Sequence, residues 1–344
     1  MNFFAVTFVL SVLIGCSVAA RGTFAQDPSP AAVEQLIERV RSSAQDQATI
    51  ARGLGIGNML LSARRYAEAV QLFKALAEKQ PENPIVIYAY ALATFNTGKP
   101  VDAEPLAQRA MALANVITGS DRSERMADAL VLLAVIQAVQ KNDVAALKSL
   151  QQAVALAPNH FDAQLSLGRL LVGMGDDVGA IKAFRTAATL QPQNPQVLFF
   201  LATTLERSGD FEHALIAYRK LVTLHPEIFE GHLGLGALLL KRGNSDTEEG
   251  VKELSRALEI NPNLYEARVA LGRALIAVGN PLAALEHLER AAQIAPDNPE
   301  PHYQLSLAYR RLGRKDEAAA QAQIVKRIHE SRRNSKVPKQ TRVG

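Results

Sequence analysis

The side chains able to do chemistry are few and scattered. Seven histidines stand at His160, His213, His225, His232, His287, His302 and His329, and none falls in the H-E-x-x-H spacing that puts two imidazoles on one helix face around zinc. The string Gly53-Leu54-Gly55-Ile56-Gly57 imitates part of a dinucleotide fingerprint, but no strand precedes it. Helical periodicity surrounds it, so its glycines are expected to serve close helix packing. Neither a G-x-x-x-x-G-K-[ST] phosphate loop nor a G-x-S-x-G nucleophile elbow occurs. The expectation is a non-enzyme with no catalytic residue, no metal and no cofactor.

The one cysteine, Cys16, cannot form an intramolecular disulfide. It follows an apolar run, Phe3 to Ile14, whose twelve residues fall short of the ~20 that span a bilayer but suit the apolar segment of a secretory signal. Leu13 to Cys16 resembles a lipoprotein cleavage box, which would make Cys16 the lipidated first residue after a signal of 1–15. Val18 to Ala20 and Thr23 to Ala25 fit ordinary signal cleavage, giving a signal of 1–25. The two residues before the run carry no Lys or Arg, a departure from the usual signal pattern. Both alternatives predict export to the periplasm, outer membrane or cell envelope. Residues 26–30 follow as a linker.

The organisation behind these residues is a period. Pro158, Pro192, Pro226, Pro262 and Pro296 are spaced by 34, 34, 36 and 34 residues. P-x-N-P strings recur at 81–84, 192–195 and 296–299, and this dipeptide chemistry stops one helix and starts the next. Within each period, apolar residues recur at three- and four-residue steps in two halves of about a dozen residues, predicting a helix–turn–helix hairpin. A small residue stands mid first helix at Gly57, Ala91, Ala134, Gly168, Ala202, Gly236, Gly272 and Ser306. The inter-helix turn carries Gly98, Gly175, Gly209, Gly243, Gly279 and Gly313. The second helix opens on alanine in seven units, followed four residues later in most by a large residue such as Phe73, Phe184, Tyr218 or Leu288, expected to fill the gap between neighbouring hairpins.

These columns resemble the tetratricopeptide repeat (TPR) family over roughly residues 50–332. The resemblance implies an all-α, right-handed superhelical α-solenoid of about eight repeats: 50–83, 84–117, 127–160, 161–194, 195–228, 229–264, 265–298 and 299–332. A nine-residue insert at 118–126 and a two-residue insertion in 242–250 interrupt the period, and Asp246 with Glu249 is expected to form a capping box there. The family's usual tryptophan is absent, Asn115 stands where proline is expected, and Gln137 falls in an apolar column. Residues 31–49 are expected to supply a covering N-terminal helix and its connection, and 333–344 a basic tail. Pentatricopeptide arrays, which bind RNA, are disfavoured by the strict 34-residue spacing and by charge. The net charge of +4 sits in the tail, with eleven Lys/Arg against three Asp/Glu from Arg310 onward, so the body is mildly acidic.

What the resemblance implies for function is a concave groove lined by first helices that takes protein or peptide segments. Transferred position by position, it nominates Asn58, Tyr88, Leu165, Arg169, Phe199, Thr203, Leu233, Val269, Arg273, Tyr303 and Arg310 as partner-binding residues. Asp128, Asp162, Glu230, Glu266 and Glu300 would form an acidic edge, a placement that helix dipoles also favour. The family's two-carboxylate clamp is absent: Asn58 matches one position, but Leu54, Ala89, Asp128 and Leu132 occupy the others. The leading expectation is an exported, non-catalytic scaffold in assembly of a cell-envelope complex, binding proteins and no nucleic acid. The membrane would be touched only through the lipid or the basic tail. The alternative is an accessory substrate-recognition subunit acting in trans with an enzyme such as a glycosyltransferase or protease.

Overall fold

In a computed structural model, residues 28–42, 46–119, 121–243 and 246–335 are described. Cys16, the apolar run before it and residues 336–344 of the basic tail lie outside them. Seventeen α-helices and no strand occur among the described residues. The chain divides into two compact units, one ending at Pro192 and the other beginning at Gln193.

The first unit starts with α1 (Pro30–Ser42), which buries Val33, Leu36, Ile37 and Val40 against the first hairpin, α2 (Gln47–Ser62) and α3 (Tyr66–Lys79). Three hairpins follow: α4 (Pro84–Asn96) with α5 (Pro100–Asn115), α6 (Asp121–Val139) with α7 (Asp143–Leu156), and α8 (Phe161–Met174) with α9 (Asp177–Leu190). The second unit holds four more: α10 (Pro195–Arg207) with α11 (Phe211–Leu224), α12 (Phe229–Arg242) with α13 (Thr247–Ile260), α14 (Tyr265–Ala277) with α15 (Pro281–Ile294), and α16 (Pro299–Arg311) with α17 (Lys315–Ser335).

The punctuation works as its chemistry dictates. Asn83 accepts from the backbone N–H groups of Ile85 and Val86, Asn194 from those of Gln196 and Val197, and Asn298 from that of Glu300, each with proline at the first helical position. Between the helices of each hairpin one residue adopts positive φ. Glycine takes this place in six hairpins, but Arg64 (φ 59°) and Lys141 (φ 63°) take it in the other two. A positive φ is therefore common to all eight hairpins, although Gly243, with ψ −165°, departs from the left-handed geometry of Gly175, and two hairpins hold the positive φ against the steric preference of an L side chain.

The small-residue column faces the large one. A Cβ at Gly57 would stand 2.3 Å from Phe73 Cζ, at Gly168 2.5 Å from Phe184 Cε1, and at Gly272 2.5 Å from Leu288. Each of these contacts closes a single hairpin rather than bridging two, contrary to the expectation, because the two positions face each other across the turn. Tyr218 behaves as expected: its ring would meet a Cβ at Gly234 of the next hairpin at 2.4 Å. The Tyr218 hydroxyl donates to Glu206 at 3.2 Å. Burial and the neighbouring Glu206 carboxylate push it far above the usual phenol range.

One local expectation needs correction, the capping box, and the insert and tail gain detail. Residues 121–126 of the insert extend the front of α6, and Arg122 there donates to Asn115 Oδ1. Asp246 and Glu249 form no capping box: Asp246 makes no side-chain cap bond and pairs with Arg242 at 3.3 Å, while Glu249 pairs with Arg219 at 2.7 Å. Part of the tail is helix, since α17 continues to Ser335. Gln137 fits its apolar column because Ser149 Oγ donates to its Oε1 at 2.9 Å.

Candidate partner-binding face

The first helices of each unit carry the residues nominated for partner binding, and the two units expose them differently. In the first unit, Leu165 is 2% exposed and Val131, its counterpart on α6, is 1% exposed. Val131 belongs to a core cluster with Leu130, Ala134 and Leu150. Leu165 is thus a packing residue, and its place among the binding residues is withdrawn. Tyr88 and Asn58 are half-buried, and Tyr88 packs on the cluster of Leu92, Leu132 and Leu133. Arg169 is also half-buried, and burial lowers its pKa from the usual guanidinium range.

The second unit opens more of its surface. Phe199 and Leu233 are half-buried, while Tyr303, at the same position of α16, is 52% exposed. Val269, between them in chain order, is 7% exposed and leaves the list for the same reason as Leu165. One turn on, Ala237 and Arg273 are exposed and Thr203 and Leu307 half-buried; Arg310 is exposed. Phe199 meets Phe200 edge-on with ring centroids 5.9 Å apart. The Thr203 hydroxyl donates back to the Phe199 carbonyl at 2.9 Å, so its donor is engaged within the helix. The face therefore offers apolar anchors (Phe199, Leu233, Tyr303) beside guanidinium groups (Arg273, Arg310), a set suited to holding a peptide segment by burial and charge.

The acids divide by environment. Glu230, Glu266 and Glu300 stand in first helical turns, where the dipole favours them, and Glu300 accepts from Gln304 at 2.9 Å. In the first unit, Asp128 binds His160 Nε2 at 3.0 Å across 32 residues, and His160 Nδ1 accepts from the Ala163 N–H to cap α8. Burial opposes the imidazolium of His160, but the hydrogen bond and charge of Asp128, with Asp162 and Glu124, outweigh it and raise the pKa. Burial pushes the Asp162 carboxyl up as well.

Two further histidines are occupied locally, whereas the buried Nδ1 of His287 has no hydrogen-bond partner among the described residues. His232 is bonded to Glu253 at 2.6 Å and to the Pro226 carbonyl at 3.1 Å, and its counterpart His302 to Gln321 at 2.7 Å. These bonds pin the two helices of one hairpin together. A related series escaped the sequence reading: Gln164, His232 and Arg268 each reach the carbonyl of a proline six residues earlier, at Pro158, Pro226 and Pro262. The signal is a polar residue six places after Pro158, Pro226 and Pro262, a pattern that Leu198 breaks after Pro192. No group of three or more His, Cys, Asp or Glu able to hold a metal occurs among the described residues. Gly53 and Gly57 lie inside α2 against Leu76 and Phe73, so these two glycines serve helix packing, while Gly55 faces open space.

Two models described as tetratricopeptide repeat match the chain, one over 60–116 and 275–330, the other over 145–195 and 199–265. The chain belongs to the tetratricopeptide repeat family. TPR proteins are generally non-catalytic scaffolds for protein interaction. No curated protein matches the chain in sequence. Among solved structures it is similar to a Pseudomonas aeruginosa protein, PilF, at 19% identity and TM-score 0.51, covering 60% of this chain and 94% of that one. It is also similar to MamA, at 23% identity and TM-score 0.48 over 52% of this chain and 96% of that one. A third is YrrB, described as a TPR protein with an unusual peptide-binding site, at 21% identity and TM-score 0.46 over 50% of this chain and 88% of that one. At these identities the likeness concerns the fold.

Proposed function

We propose that this TPR chain is an exported, non-catalytic scaffold that binds protein or peptide segments on its first-helix faces during assembly of a cell-envelope complex. The observation that carries the binding reading is the partly open row Phe199, Leu233 and Tyr303 beside exposed Arg273 and Arg310. Aromatic and arginine side chains on a rigid helical scaffold are the groups that most often dominate binding energy. Family membership supports the same reading. The export component rests on sequence: the apolar run Phe3 to Ile14 and the small residues after it.

The binding reading is tested by affinity capture with the full chain and with a Phe199→Glu/Arg273→Glu variant. Loss of the captured partner by the variant, with its fold retained by circular dichroism, is the expected result. Export is tested separately by fractionating cells and by mass analysis of the mature N-terminus, with acylated Cys16 or cleavage after Ala20 or Ala25 as supporting outcomes.

A further inference from the structure

The last helix ends beside the start of a first helix. α17 has 21 residues where α11, α13 and α15 each have 14, and near its end the Arg332 guanidinium donates to the Asp297 carbonyl at 2.5 Å. Asp297 immediately precedes Asn298, the cap of α16. The described chain thus stops at the edge of the second unit where first helices begin.

That edge carries one carboxylate per repeat. Glu230, Glu266 and Glu300 each hold the second position of their helix, one turn before Leu233, Val269 and Tyr303 and on the same face. Glu266 is exposed and the other two are half-buried. None of the three joins an ion pair among the described residues. Burial raises the pKa of the Tyr265 hydroxyl, and the charges of Glu300 and Glu266 raise it further, so carboxylates of two neighbouring hairpins lie near one group. Arg268, two residues after Glu266, is turned to the Pro262 carbonyl. Arg273 and Arg310 stand two turns or more along their helices, ~10 Å or more from this edge.

Residues 336–344 read Lys-Val-Pro-Lys-Gln-Thr-Arg-Val-Gly, with a cation at every third place (Lys336, Lys339 and Arg342) and no acid. Three residues of polyproline-type chain, a form that Pro338 suits, advance ~9 Å and complete one turn. Helices in contact, as α12, α14 and α16 are in succession, stand ~8–10 Å apart. The two periods match. In the same conformation Val337, Gln340 and Val343 share the neighbouring face. Run from α16 to α12, they would meet Tyr303, Val269 and Leu233. The valines fall where the helix surface is open, and the glutamine falls at Val269, which is 7% exposed.

We propose that residues 336–344 dock in cis across the first helices of the second unit, Lys336, Lys339 and Arg342 against Glu300, Glu266 and Glu230, with Val337 on Tyr303 and Val343 on Leu233. Exposed ion pairs are individually weak, but a short tether supplies an effective concentration of order millimolar. The docked tail covers part of the face assigned to partners. Its detection needs no external partner, so a failure of partner capture and a failure of docking are separate results.

A nitroxide is attached through Gly344→Cys in the full chain carrying Cys16→Ser, and amide broadening is read by NMR. Docking predicts broadening strongest at the start of α12, intermediate at α14 and weakest at α16, the reverse of the order for a tail merely tethered at α17. Broadening at α12 should fall roughly fivefold between 0.1 and 1 M salt, as the screening length drops from ~10 to ~3 Å. Lys336→Glu/Lys339→Glu/Arg342→Glu should remove it to a similar extent, and adding Glu230→Lys/Glu266→Lys/Glu300→Lys should restore it. Should the sixfold variant misfold, the single exchange decides: Glu266→Lys should restore what Lys339→Glu loses. Four results would each overturn the proposal. They are broadening strongest at α16, broadening indifferent to salt or to reversal of the tail charges, no recovery on charge exchange, and broadening that grows with protein concentration, which would assign the tail to a second copy of the chain.

Discussion

Replacing Gly168 by alanine isolates the contact on which a hairpin closes. The added Cβ would lie 2.5 Å from Phe184 Cε1 and 2.7 Å from its Cδ1, well inside van der Waals contact. Phe184 is fully buried, so its ring cannot swing into solvent and the surrounding core must yield. Alanine in place of a mid-helix glycine stabilises by about 1 kcal/mol. Overpacking a filled core costs about 1–3 kcal/mol, and a deficit of more than an ångström belongs at the upper end of that range. The net expectation is a loss of about 1–2 kcal/mol. Phe184→Ala alone should lose about 3–5 kcal/mol. With the ring gone, the new methyl has room, and Gly168→Ala should then recover its helix gain of about 1 kcal/mol. The cycle thus predicts a coupling of about 2–3 kcal/mol between the positions. Urea unfolding followed by circular dichroism reads the totals. Repeat arrays can unfold in parts, so amide exchange in α8 and α9 reads the local effect. Stabilisation by about 1 kcal/mol in both backgrounds would refute the packing argument and leave only helix propensity.

Arg64→Gly and Lys141→Gly should each stabilise by about 0.5–1 kcal/mol, because both residues hold the left-handed conformation that glycine adopts without strain; thermal melts of the single variants check this. Asn194→Ala removes the cap bonds to Gln196 and Val197 and should cost about 1 kcal/mol, seen first as faster amide exchange at the start of α10. The raised pKa of His160 means the folded state favours its protonated form. Its contribution is fully present below the unfolded imidazole value and is lost as pH rises through the folded one. Asp162 acts in the same direction at lower pH, since a buried carboxyl with a raised pKa favours folding while it keeps its proton. Relative to His160→Gln, the parent chain should therefore gain stability from pH 8 to pH 5.5 in urea titrations. A gap that narrows with acidification would contradict the Asp128 assignment.

The repeat architecture was legible because its signals are local and recur. Proline spacing marks where second helices stop, and Asn-Pro marks where first helices start. What escaped was set by partners distant in sequence. Arg64 and Lys141 carry no chemical mark of the turn they occupy, since neighbouring helices impose the left-handed conformation. Asp246 and Glu249 have the spacing of a capping box, but Arg242 and Arg219 compete for their carboxylates. Leu165 and Val269 share a helical column with Phe199 and Tyr303, and periodicity alone assigns all four the same face. Burial separates them, because it depends on how closely adjacent first helices approach. The His160–Asp128 bond spans two hairpins, and no periodic pattern predicts it.

Quantitative capture of binding partners by the full chain, compared with Phe199→Glu/Arg273→Glu, tests the central claim most directly. A partner enriched by the parent should fall at least tenfold with the variant, as expected when an aromatic anchor and a charge are both reversed in character. A folded variant that captures the same partner at undiminished yield would contradict the assignment of this face as the binding surface.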